Sequence, residues 1–187
     1  MAASADEVIA KIKGAFPAKR PPGLALIEPE WSRFPGDEYE DVENTFRDLD
    51  DWTAIDVSVL VRSEHMEIRA FMSDAALRFY IPAYMVADLQ GKMTFTDPSF
   101  SLIIGFDDQA SERRHELATQ LHAKWGMAPP KKFTFGDLAR RRWTQLDSIQ
   151  VEAVVAYLEW IIERDGPLVA EDVAEALATY WHPRAGR

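Results

Sequence analysis

The chain has 187 residues, a net charge of −10, 47% hydrophobic and 28% charged residues, and no cysteine. That composition fits one soluble domain over 1–187, excludes disulfides, thiolate metal sites and cysteine nucleophiles, and weighs against a general nucleic-acid binder. No apolar run approaches the roughly 20 residues that span a bilayer, and residues 1–16 lack the basic start and continuous apolar core of a signal peptide, so a cytoplasmic protein without a membrane partner is expected.

Ala5 to Phe16 reads as a first helix: Val8, Ile9, Ile12 and Phe16 recur at helical spacing, and Asp6 and Glu7 suit the N-terminal end of the dipole. Residues 17–36 follow as a proline-rich loop, mostly extended or turning, because proline fixes φ and removes a backbone donor. Asp37 to Leu49 reads as a second helix with Val42 and Phe46 inward. The next stretch, "DWTAIDVSVLVRSEHM", fits either a strand (Val57, Val59, Val61) or a short helix, and the helix is preferred.

The third substantial helix is "SDAALRFYIPAYMVADLQ", residues 73–90. Ser73 has the chemistry of an N-cap, and Asp74 and Arg78 are spaced to pair on one edge. Leu77, Ile81, Tyr84, Met85 and Asp88 form one strip, and Ala76, Phe79, Tyr80, Ala83 and Ala87 cover most of the rest. A helix apolar nearly all round is a buried central one. Pro82 inside it removes an amide and predicts a kink or a break at Ile81.

Residues 93–106 have β-like content and predict at most a short hairpin. Ser111 to Lys124 reads as a helix that packs through Leu117, Leu121 and Trp125, ended by Gly126. Ser148 to Arg164 carries the clearest periodicity: Val151, Val154, Val155, Leu158, Ile161 and Ile162 share a face. Asp147 with Gln150 fits a capping box, and Asp165-Gly166-Pro167 is a stop signal. A last helix spans about 170–181. The expected architecture is therefore mainly α, a single-domain helical bundle of about six helices.

Charge is uneven along the chain. Residues 34–52 hold eight acids and one arginine, whereas 113–143 hold eight basic residues and two acids. The simplest expectation for the basic segment is a solvated face that pairs with the acidic segment of the same fold. Within it, "KKFTFGDLARRRW" (131–143) mixes cations and aromatics as single-stranded nucleic-acid binders do. The acidic total favours instead a segment in which Phe133, Phe135, Leu138 and Trp143 pack while the cations face water, so a nucleic-acid partner is not expected.

The residues that could carry chemistry are few. The histidines are His65, His115, His122 and His182. Glu112-x-x-His115 is half of a carboxylate-bridged di-iron pattern, but no second half occurs. His115 and His122 are about two helical turns, roughly 10 Å, apart and suit no single ion. No metal site is expected, and with neither a dinucleotide fingerprint nor a P-loop, no cofactor either. No G-x-S-x-G nucleophile elbow occurs, and no catalytic residue is assigned.

The order "I-x-x-A-F" (Ile12, Ala15, Phe16), a proline-rich stretch, "D-E-Y-E-x-x-E" (Asp37 to Glu43), "W-x-x-I" (Trp52, Ile55) and "F-M-S-D-A-A-L-R-F-Y-I-P-A-Y-M" (Phe71 to Met85) resembles a bacterial family known only as a domain of unknown function. The likeness spans roughly 5–165 and is most specific in the central helix, where Ser73-Asp74-Ala75-Ala76 replaces the family's S-P-E-A. It implies a fold and a bacterial origin, and no mechanism.

Two binding readings follow, both preferred over catalysis. In the first, an acidic patch of Asp37, Glu38, Glu40 and Asp41 engages a basic protein partner, as a toxin-neutralising immunity protein does. In the second, the protein is a small-ligand binder or, as the alternative, an enzyme, with a pocket at the Pro82 kink where Arg78, Tyr80 and Tyr84 orient the ligand. Against this stands a filled core in which the tyrosine hydroxyls find backbone partners.

Overall fold

A computed structural model describes residues 3–28, 37–61, 68–93, 97–106, 108–128 and 135–187. The described residues are mainly helical, with no strand among them; the one β-bridge joins Lys19 to Asp51. His65 and Phe133 lie outside the described residues, as do the side chains of Asp37, Glu38, His115 and Phe135.

Helix α1 (Ala5–Ala15) begins with a reciprocal cap: Ser4 Oγ accepts from Glu7 N, and Ser4 N donates to the Glu7 carboxylate at 2.7 Å. The backbone donor and hydroxyl of Ser4 hold that carboxyl below its usual range. Helix α2 (Asp37–Phe46) buries Val42 and Phe46 as the spacing predicts. The ambiguous stretch is helical where it is described: a 3₁₀ turn at Trp52–Ala54 and α3 (Val57–Leu60), each opened by an aspartate cap, Asp51 and Asp56. The hydroxyl of Thr53, bonded to Asp51, pulls that carboxyl's pKa down. Helix α4 (Ile68–Phe71) is a single turn before the central helix.

Helix α5 (Asp74–Leu89) is buried from Ala76 to Leu89 except at Arg78 and Val86. Ser73 caps it, accepting from Ala76 N at 3.0 Å. The split that Pro82 predicts at Ile81 does not occur: α5 runs through both residues. The local cost of an interior proline, about 3 kcal/mol, is outweighed because neighbours enclose α5: α1, α6, α8 and the 3₁₀ turn all pack on it. The predicted Asp74–Arg78 pair is also replaced. Asp74 accepts from Arg142 Nε at 2.8 Å and Arg141 Nε at 3.0 Å, while Arg78 Nη1 donates to Arg142 O at 2.7 Å.

The hairpin expected at 93–106 is corrected where the chain is described. Pro98–Ile103 forms helix α6, with Asp97 as N-cap and Pro98 at its first position. Asp-Pro at a helix start outweighs the β preference of Leu102, Ile103 and Ile104, which sit at the end of a single short helix. Residues 94–96 lie outside the description.

Helix α7 (Asp108–Lys124) is present, but its predicted packing stripe is not buried: Leu117, Leu121 and Trp125 are 58%, 46% and 65% exposed. They form a single i, i+4, i+8 row, narrower than the apolar face that seats a helix on a core. Helix α8 (Phe135–Trp143) buries Trp143 and leaves Leu138 half-buried. Helix α9 (Ser148–Asp165) has the predicted Asp147–Gln150 capping box and ends at Gly166, φ +73°. Around it pack α1 and α10 (Pro167–Ala176), followed by a π-turn (Leu177–Trp181) and a last turn, α11 (His182–Arg184).

The described part of the proline-rich segment, residues 17–28, is tied to the packed structure. Trp52 Nε1 donates to Pro17 O at 2.8 Å, Arg20 N to Asp50 O at 2.7 Å, and Ser73 N to Leu26 O at 2.8 Å. Arg20 also reaches inward, from Nη1 to Phe46 O (2.9 Å) and to the Tyr80 hydroxyl (3.1 Å). The other end of the chain is stapled similarly. Arg184 donates to the carbonyls of Trp143 (2.7 Å), Thr144 (3.1 Å) and Leu146 (2.8 Å), fixing the turn between α8 and α9.

Candidate functional site

The residues singled out on α5 separate by helix face. Tyr80 and Tyr84 point into the core, whereas Arg78, one turn before Pro82, faces a cleft. Tyr80 is 0% exposed and its hydroxyl lies 2.7 Å from Leu49 O, which accepts its proton. Burial raises its pKa, partly offset by the Arg20 guanidinium. Tyr84 is equally enclosed; burial raises its pKa further, with Arg69 beside it pulling the other way. The geometry therefore does not bring Arg78, Tyr80 and Tyr84 to one point.

The cleft that Arg78 faces has a volume of about 260 Å³. Its walls come from the end of α1 and the segment after it (Phe16, Pro17, Pro21, Leu24), from α5 (Ala75, Arg78, Phe79) and from the α8–α9 turn (Gln145, Leu146), with Gln150 beyond. The sequence places these walls by ordinary local rules. Pro17 stops α1, the Ser73 cap sets where α5 begins, and the Arg184 clamp holds the α8–α9 turn over its flank.

Electrostatics single out Arg78 on this wall. Its surroundings desolvate it, which lowers its pKa; Asp74 counters that, Arg142 adds to it, and Glu28 counters it again. Asp74 is already shared by Arg141 and Arg142. Three guanidinium groups thus face two carboxylates, a local positive excess in a chain of net charge −10. Arg78 spends Nη1 on Arg142 O, and its remaining N–H groups make no hydrogen bond among the described residues. A mostly apolar cleft with one such fork is suited to a small molecule with an anionic head.

The far half of α5 carries a second, buried polar set that the sequence reading missed. Asp88, 5% exposed, accepts from Tyr157 Oη at 2.7 Å and from Arg164 Nη1 at 2.7 Å. Burial, followed by the charge of Asp88, raises the Tyr157 pKa well above its ordinary value. Beside it, Arg69 of α4 is 8% exposed, with its guanidinium carbon 5.0 Å from the Tyr84 ring centroid. Only the apolar periodicity around Asp88 could have marked this region, since a polar residue in a continuous buried strip demands a partner. Arg69 and Ser99 sit in mixed sequence that gives no such sign.

The acidic patch is only partly described. Glu40 and Asp41 are exposed on α2 and form no ion pair among the described residues. The acidic segment does not meet the basic one in any described pair: Lys19 reaches Asp50 and Asp51 at 3.6 and 3.4 Å, and Arg47 reaches Glu43 at 3.4 Å. The basic segment instead meets α5 at Asp74. No group of three or more metal-capable side chains occurs among the described residues, and no helix there is long and apolar enough to cross a membrane. His122 Nδ1 lies 2.7 Å from Ala128 O, and His182 Nε2 lies 3.3 Å from Glu159 Oε1.

Fold and site together define a mainly helical protein built on a buried central helix with a small apolar cleft along one edge. The chain belongs to the family of unknown function DUF6714, whose profile matches residues 4–185. Neither the curated proteins nor the solved structures include a match to it.

Proposed function

We propose that the protein is a non-catalytic binding protein whose cleft at Arg78 receives a small amphipathic anion, a carboxylate with a short apolar body. The observation that carries this reading is the desolvated Arg78 guanidinium, with N–H groups uncommitted among the described residues, on a mostly apolar wall whose other polar side chains are the neutral Gln145 and Gln150. The carboxylate would take those donors, and the body would lie against Phe16, Pro21, Leu24 and Phe79. At about 260 Å³ the cleft is just below the usual size range of ligand pockets, roughly 300–1,000 Å³, so the body is short. Calorimetric titration with a panel of medium-chain and aromatic carboxylates tests it. Binding is expected in the wild type and is lost both in Arg78→Met and in Ala75→Phe, which fills the cleft without touching the charge. Binding unchanged in both variants would refute the reading.

A second reading keeps the acidic face of α2 as a docking surface for a basic protein, as in an immunity-type complex. It is favoured by Glu40 and Asp41, which are exposed and form no ion pair among the described residues. The cleft variants leave such a complex intact, whereas Glu40→Gln with Asp41→Asn weakens it and reduces its salt dependence.

A further inference from the structure

Burying a charge costs far more than burying a neutral polar group, so buried charges come paired. The described structure follows that rule at Asp88, which has Arg164 at 2.7 Å. It departs from it at Arg69. This side chain is 8% exposed, and no carboxylate among the described residues lies within ion-pair distance of it. Its Nη2 makes one long bond to Asp97 O, 3.3 Å, and its Nη1 has no hydrogen-bond partner. Desolvation is the largest influence on its pKa and lowers it; the nearby Tyr84, Tyr157 and Asp97 oppose that from a distance.

Two further donors in the same region are also unmatched. Tyr84, 1% exposed, has a hydroxyl without a partner, although Arg69 lies over its ring. Ser99, 0% exposed, has a hydroxyl without a partner two residues after Asp97, whose carbonyl Arg69 touches. The Arg69 Nη1 group, with its two N–H bonds, and two hydroxyls are thus left over on α4, α5 and the start of α6, which Arg69 links through Asp97 O and the Tyr84 ring. The Asp88 carboxylate beyond them is already taken by Tyr157 and Arg164. Stacking on the Tyr84 face offsets part of the cost of the charge and supplies no hydrogen-bond acceptor.

We propose that Arg69, Tyr84 and Ser99 form an internal site for one small monovalent anion of the halide class. An anion answers both deficits at once. It accepts from all three donors and neutralises the guanidinium. A water molecule would satisfy the hydroxyls and leave the charge uncompensated. The site is separate from the Arg78 cleft and does not depend on the function proposed for it.

The test compares thermal unfolding in sodium chloride and in sodium gluconate at equal ionic strength, gluconate being too large for an interior site. With an affinity near 10 mM, raising chloride from 10 to 300 mM lifts Tm by about 3–6 °C, and the gluconate series lacks that rise. Tyr84→Phe removes one donor at nearly constant volume and should cut the chloride-specific rise by half or more. Arg69→Met should abolish it, and if that variant does not fold, Tyr84→Phe carries the test alone. A crystal grown in sodium bromide should show an anomalous peak within hydrogen-bond distance of Arg69 Nη1. Equal Tm values in the two salts, a full chloride response in Tyr84→Phe, or a water in place of bromide would each overturn the proposal.

Discussion

Replacing Asp88 by alanine tests how the buried polar network is held. In the wild type its carboxylate takes two bonds, from Tyr157 Oη and Arg164 Nη1, each 2.7 Å. The first is fully buried and charge-assisted, about 1.5–3 kcal/mol, and its loss strands a phenol that is 0% exposed. The second is worth less, because the Arg164 side chain is 33% exposed and keeps Asp165 at 2.5 Å; solvent screening discounts it to about 0.5–1 kcal/mol. The sum is about 3 kcal/mol, a Tm decrease of about 6–12 °C for a chain of this size. Urea unfolding followed by tryptophan fluorescence measures it. Tyr157→Phe alone should cost about 1 kcal/mol, since Arg164 still serves the carboxylate. The double variant Asp88→Leu/Tyr157→Phe should be more stable than Asp88→Ala, because no donor is stranded and the side-chain volume is kept. A cost below about 1 kcal/mol for Asp88→Ala, or a double variant less stable than it, would refute the reasoning.

Three further outcomes are expected. Ser73→Ala removes both the α5 cap and the 2.6 Å bond to Ala25 O, at a cost of about 2–3 kcal/mol, whereas Ser73→Thr recovers most of it; equal urea midpoints for the two variants would contradict the double role. The pKa values of Tyr80, Tyr84 and Tyr157 are all raised, so the stability they contribute is complete below pH of about 10 and is lost as pH rises further and the unfolded chain ionises first. Each adds a slope of about −1.4 kcal/mol per pH unit there, and urea midpoints between pH 9.5 and 11.5 should fall less steeply in Tyr157→Phe. Pro82→Ala restores an amide to an unbroken helix, a gain of up to about 3 kcal/mol, against about 1.6 kcal/mol for two lost methylenes and about 0.7 kcal/mol of unfolded-chain entropy. Calorimetry should find the variant as stable as wild type or slightly more so, and a loss above about 2 kcal/mol would show that the ring is a packing element.

Local rules settled the ends of helices. The Ser73 cap, the Asp147–Gln150 box and the Gly166 stop are short-range chemistry, read from neighbouring residues without knowledge of the fold. Apolar periodicity likewise marked the burial of α5 and α9, because a helix with little polar surface can only be stable inside. Tertiary structure decided everything that depends on competition between distant partners. Pro82 was absorbed because the packing of α1, α6, α8 and the 3₁₀ turn on α5 exceeds the local penalty, and Asp74 turned from Arg78, one turn away, to Arg141 and Arg142, 67 and 68 residues on. The apolar row of α7 stayed outside, since spacing alone does not create a surface to cover it. The Arg78 cleft and the buried Arg69, which has no carboxylate partner among the described residues, also belong to this second group. Charge and burial at a point are sums over segments far apart in the chain, and no stretch of sequence contains the sum.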